Sequence, residues 1–67
     1  MSNEDSLAPL RSRAYELADT GRYADWDGVC AELVKEGETE LLARRLTHDK
    51  FFQIMLLNRI RAARERD

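Results

Sequence analysis

Apolar residues recur along this chain at spacings of three and four, and no stretch alternates as a strand does. Leu7, Leu10, Ala14, Leu17 and Ala18 share one side of a helical wheel, which predicts a first helix over residues 6–20. Ser6 is the expected N-cap, and Pro9 falls in the first turn, where its missing N–H is not needed. Gly21 is expected to end this helix in the left-handed conformation that glycine accepts. Asp25 is the expected N-cap of a second helix, with Asp27 adding charge that the helix dipole favours. Trp26, Val29, Cys30, Leu33 and Val34 then follow at i, i+3, i+4, i+7 and i+8, up to Gly37.

Beyond Gly37 the pattern loosens. Thr39 is the expected cap of a third element carrying Leu41, Leu42, Ala43 and Leu46, with Glu40 and Arg44 four residues apart in the favoured orientation. A break or kink is expected at Thr47-His48-Asp49, with Thr47 capping a last helix over residues 48–64 and Asp49 in its first turn. Short connections set neighbouring helices antiparallel. The fold class expected is all-α, a small antiparallel bundle of three to four helices. Residues 1–5 read as a disordered N-terminus and residues 6–67 as one helical domain.

The last helix carries more apolar residues than one stripe can hold. Phe51, Phe52, Ile54, Met55, Leu56, Leu57 and Ile60 spread over most of its circumference at about 100° per residue. The first two helices are short and cover one side of it. The rest of that surface either folds into the monomer or faces another chain, and exposed apolar area on this scale marks an interface. Phe51, Phe52, Met55, Leu56 and Ile60 are the expected contact residues, since aromatic residues and Met are enriched at such contacts.

Size favours the second outcome. A chain of 67 residues is one domain. A core of that size rarely supplies more than about 3–5 kcal/mol, so small domains add disulfides, metals or a partner subunit. Cys30 is the only cysteine and His48 the only histidine. They give neither a bridge within the chain nor a Cys/His zinc site. A second copy is therefore the expected partner, with another protein as an alternative. The polar, acidic start, Met1 to Asp5, does not read as a signal peptide. No stretch approaches the roughly 20 apolar residues of a membrane span. With a lone free cysteine, the expectation is a cytoplasmic protein with no membrane contact.

The net charge of −2 conceals a division. Residues 1–43 hold ten acids and four bases, whereas residues 44–67 hold seven bases and three acids. The two halves can attract each other within or between chains. The basic end, with Arg59, Arg61, Arg64 and Arg66, is a possible anion contact and gives the alternative reading, a small nucleic-acid-associated regulator. Cations also simply suit a helix C-terminus. No aromatic residues interleave with these arginines to stack on bases. A helix-turn-helix over the first two helices is a poor match, because Asp25 and Asp27 would meet phosphates at the recognition end.

Candidate chemistry is sparse. Cys30 lies on the apolar stripe of the second helix, where Asp27 and Glu32 would hold its thiol protonated, so a buried structural role is favoured over a nucleophile. His48 beside Asp49 reads as a histidine at a helix junction rather than an acid–base pair. Glu32, Glu36 and Glu40 read as a solvated face. Gly21, Gly28 and Gly37 are isolated and make no phosphate loop, so no cofactor is expected. A bundle this short has little room for a concave pocket, which typically needs about 300 Å³ or more. The reading that results is a non-enzymatic interaction module.

The stretch from Arg13 to Leu33 carries Leu17-Ala18-Asp19-Thr20-Gly21-Arg22 into Asp25-Trp26. It resembles short uncharacterised helical proteins of proteobacteria, in which a helix ends in Leu-Ala-x-x-Gly-Arg and Asp-Trp opens an amphipathic helix. The resemblance covers about a third of the chain, and residues 38–67 depart from it. It implies a helical fold and a bacterial origin. It carries no assigned activity, and no site residue follows from it.

Overall fold

A computed structural model describes residues 4–38 and 40–65 of the chain. The expected cap at Thr39, the anion contact at Arg66 and the disorder of residues 1–3 lie outside the described residues. Four helices form: α1 (Glu4–Asp19), α2 (Trp26–Lys35), α3 (Glu40–Thr47) and α4 (Lys50–Glu65). The chain is a small all-helical bundle, as its spacing predicts, with no strand among the described residues.

The helix ends follow local chemistry. Asp25 adopts extended backbone geometry and its carboxylate accepts from the Gly28 N–H, which makes it the N-cap of α2. At the other end Gly37 N–H donates to Val34 O and Glu38 N–H to Leu33 O, the paired bonds of a Schellman motif. Gly21 and Gly37 carry the positive φ angles, 76° and 107°, that such stops require.

Two boundaries differ from expectation. α1 begins at Glu4, so Glu4 and Asp5 are helical and Ser6 is not its N-cap. Acidic residues favour a helix N-terminus through the dipole. Pro9 consequently sits inside α1, with no N–H to give the Asp5 carbonyl. The expected break after α3 is present, but Asp49 caps α4 instead of Thr47. The Asp49 carboxylate accepts from the Phe52 N–H at 3.1 Å, and Gln53 N–H donates to Asp49 O at 2.9 Å. The Thr47 hydroxyl is held elsewhere: it donates to Ala43 O and accepts from the Trp26 indole N–H at 2.8 Å.

The two long helices, α1 and α4, lie side by side and run parallel. Arg11 pairs with Asp49 at 3.5 Å, the rings of Tyr15 and Phe52 meet at 5.3 Å, and Asp19 pairs with Arg59 at 2.9 Å. Further along, Gly21 lies against the Ala63 backbone. Residue numbers rise together on both helices. α2 and α3 run against each other, with Trp26 at the start of α2 bonded to Thr47 at the end of α3. Arg13 forks onto Glu36 just past α2, at 3.0 and 2.7 Å, and also reaches Glu16. The guanidinium pulls the Glu36 carboxyl below the usual glutamate value.

The core joins one stripe from each helix. Leu10, Ala14, Leu17 and Ala18 come from α1, Val29 and Leu33 from α2, Leu46 from α3, and Phe52, Leu56 and Ile60 from α4. Leu7, Tyr15, Tyr23, Trp26 and Leu42 pack at its margin. No polar or charged side chain is buried among the described residues.

Asp49 joins three elements, since it caps α4, ends the α3–α4 link and pairs with Arg11 of α1. Asp49→Ala is expected to lose about 1–2 kcal/mol of stability, most of it from the cap. Urea unfolding followed by circular dichroism checks this, and Asp49→Asn, which keeps a capping oxygen, should lose less than half as much.

Candidate interaction face

α4 divides its apolar residues between two faces. Phe52, Leu56, Ile60 and Ala63 follow each other at i, i+4, i+8 and i+11 and point inward. Phe51, Ile54, Met55 and Leu57 point outward, with 75, 60, 40 and 42% of their surface exposed. On the wheel Phe51 and Met55 lie together, and Ile54 and Leu57 lie on the adjoining shoulder.

This corrects the expected contact set. Phe52, Leu56 and Ile60 are each about 1% exposed and belong to the monomer's own core. They offer a partner almost no surface, Leu56 and Ile60 reaching the outside only along the groove between α4 and α2. Phe51 and Met55 remain on the surface, and Ile54 and Leu57, which the expected set left out, join them. The signal that separates the two groups is the i, i+4, i+8 run of Phe52, Leu56 and Ile60. It was masked by apolar residues at nearly every neighbouring position. Leu41 of α3 is a further exposed apolar residue, at 66%.

A groove of about 320 Å³ runs along the Ile54 and Leu57 shoulder, between α4 and the start of α2. Trp26 and Ile60 form its walls, Asp25 and Gln53 also line it, and its surface is almost wholly apolar. Trp26 is fixed there at two points. Its N–H holds Thr47, and its ring meets Phe52 edge-on at 5.5 Å. Gln53 is fixed by donation to Leu46 O at 2.9 Å.

The arginines of α4 have different fates. Arg59 is committed within the chain: it pairs with Asp19, and its guanidinium lies 4.5 Å over the Tyr15 ring. Arg61 and Arg64 are exposed and make no ion pair with a described residue. The arginine cluster read from the sequence is thus split by its packing.

A second, open cleft of about 570 Å³ lies between α2 and α3, lined by Asp27, Cys30, Val34, Glu40, Arg44 and Thr47 among others. Both clefts exceed the size expected for so short a chain. Cys30 is half-buried on the wall of this one. Burial raises its thiol pKa, and Asp27 and Glu40 add to the shift, with Glu40 in the place expected of Glu32. His48 does not join it: the imidazole is exposed at the α3–α4 link, and its neighbour Asp49 serves as cap and ion-pair partner. Among the described residues, no three His, Cys, Asp or Glu side chains are grouped to hold a metal, and no helix is long and apolar enough to cross a membrane.

The rate of Cys30 alkylation by iodoacetamide should keep rising past pH 9.0, the ordinary thiol value, because the folded thiol titrates above it. Unfolding in urea should move the inflection down. An inflection below pH 9.0 in the folded protein would contradict this assignment.

No family model matches the chain, and neither a curated protein nor a solved structure matches it.

Proposed function

We propose that this protein is a non-enzymatic interaction module of the cytoplasm that pairs with a second copy of itself through the outward face of α4. The observation that carries the reading is the exposure of Phe51, Ile54, Met55 and Leu57 beside a core already filled by Phe52, Leu56 and Ile60. Scaled by ordinary side-chain areas, these exposures amount to roughly 400 Å² of apolar surface, the size of the largest patch on an ordinary monomer, which is often functional, carried here by a much smaller chain. Two such faces bring together about 800 Å², the apolar share of an interface near the lower end of the ~1,200–2,000 Å² standard range. A second copy supplies this match without any further partner. It also adds buried area to a core that includes four alanines, Ala14, Ala18, Ala43 and Ala63.

A second reading, a small nucleic-acid-associated regulator, is favoured by one observation. Arg61 and Arg64 stand exposed without an ion pair to a described residue. Pairing through α4 would present two sets of them. Titration of duplex DNA at several salt concentrations tests it. Each phosphate contact should contribute about 0.9 to the slope of log K against log salt, and Arg61→Ala should remove one such step. No binding at low salt removes this reading.

The pairing itself is tested by sedimentation equilibrium. The wild-type chain should show twice its 7.8 kDa mass at micromolar concentration. Ile54→Glu places a charge on the exposed face and should give a monomer with unchanged helical content. A wild-type monomer throughout that range would overturn the proposal.

A further inference from the structure

Among the described residues Phe51 is the one aromatic side chain that stands mostly in solvent. Tyr15, Tyr23 and Trp26 are half-buried, and Phe52 is in the core. With three-quarters of its surface in water, the Phe51 ring stands off α4 and is not part of the core cluster. On the same helix, two turns on, lies an apolar hollow of about 320 Å³ walled by Trp26, Ile54, Leu57 and Ile60, with room for one phenyl ring. One chain thus carries a projecting ring and an unfilled hollow on adjoining parts of a single surface.

The spacing relates the two by symmetry. Phe51, Ile54 and Leu57 are successive members of one i±3 row, so Ile54, itself on the near wall of the hollow, is the midpoint between Phe51 and Leu57. A two-fold axis passing at Ile54 exchanges the ends of that row. It carries each Phe51 to the other chain's Leu57 and sets Ile54 against the partner's Ile54. Such an isologous contact closes on itself and fills both hollows at once. Because i±3 rows lie at about 45° to a helix axis, matching a row to its own reverse makes the two α4 helices cross steeply.

We infer that the occupant of the Trp26–Leu57 groove is the Phe51 ring of a second copy, seated reciprocally in a steeply crossed α4 pair. This rests on the pairing proposed above and adds its geometry. A buried aromatic anchor in an apolar pocket is the arrangement that dominates interface energetics. Trp26 is rigid before pairing, since Thr47 and Phe52 hold it, so the hollow needs no rearrangement to accept the ring.

Trp26 is the only tryptophan, so its emission reports on the groove directly. The full-length wild type, Phe51→Ala and Met55→Ala are compared by sedimentation and by Trp26 fluorescence over a dilution series, with circular dichroism confirming the fold. Phe51→Ala should weaken pairing roughly 30-fold or more, as loss of an anchor does, and Met55→Ala only a few-fold. Wild-type emission should shift to the red on dilution, with the midpoint of the mass change. If the wild type pairs but its emission does not change with concentration, or Phe51→Ala is no weaker than Met55→Ala, the seating is wrong and the pairing stands. A wild type that stays monomeric overturns both.

Discussion

The Phe52 ring is the contact on which the arrangement of this bundle depends. Tyr15 of α1 meets it at 5.3 Å and Trp26 of α2 meets it edge-on at 5.5 Å, so one side chain of α4 is gripped by two other helices. A helix whose apolar residues surround it has no preferred rotation of its own. Gripping Phe52 sets that rotation, and the 3.6-residue period then dictates the rest. Leu56, Ile60 and Ala63 turn inward behind it, while Phe51, Ile54, Met55 and Leu57 are turned outward.

The polar contacts secure the same geometry from the margins. Asp49 fixes where α4 starts and ties that end to Arg11. Arg59 ties the other end to Asp19 and covers the Tyr15 ring that touches Phe52. The Trp26–Thr47 bond holds the second ring in place while joining α2 to α3. Individually, exposed ion pairs contribute little. Their effect here is to fix register, since they bracket the parallel run of α1 and α4 and no buried polar side chain among the described residues does so.

Much of this was legible along the chain. The all-helical class, the Asp25 cap and the glycine stops at Gly21 and Gly37 are local, and local chemistry decides them. So are the inward stripes of α1 and α2, which each offer one apolar face. The rotation of α4 was not legible, because seven apolar residues between Phe51 and Ile60 fit several faces equally well. Only the long-range contact of Phe52 with Tyr15 and Trp26 selects one. The parallel run of α1 and α4 was hidden for the same reason, as it depends on contacts such as Asp19–Arg59 that are 40 residues apart. The cap at Asp49 also depends on distant contacts, because the Thr47 hydroxyl is taken by Ala43 O and the Trp26 N–H while Asp49 can meet both the Phe52 N–H and Arg11.

The charge division of the sequence also acquires a physical meaning. Arg59–Asp19 draws the basic half of the chain onto the acidic half, and Arg11–Asp49 runs the opposite way, so part of the charge is neutralised inside one molecule. Electrostatic attraction for an anionic partner is reduced by that amount. The apolar outward face of α4 has no such internal outlet. Its residues stand outside the buried core, and the hollow beside Ile54 is left open by the same rotation that exposes Phe51. Salt screens an exposed charge and leaves apolar contact largely intact. Of the two surfaces that α4 offers, the apolar one therefore has the stronger claim to a partner, and its ring and hollow sit where a copy of the same helix supplies both.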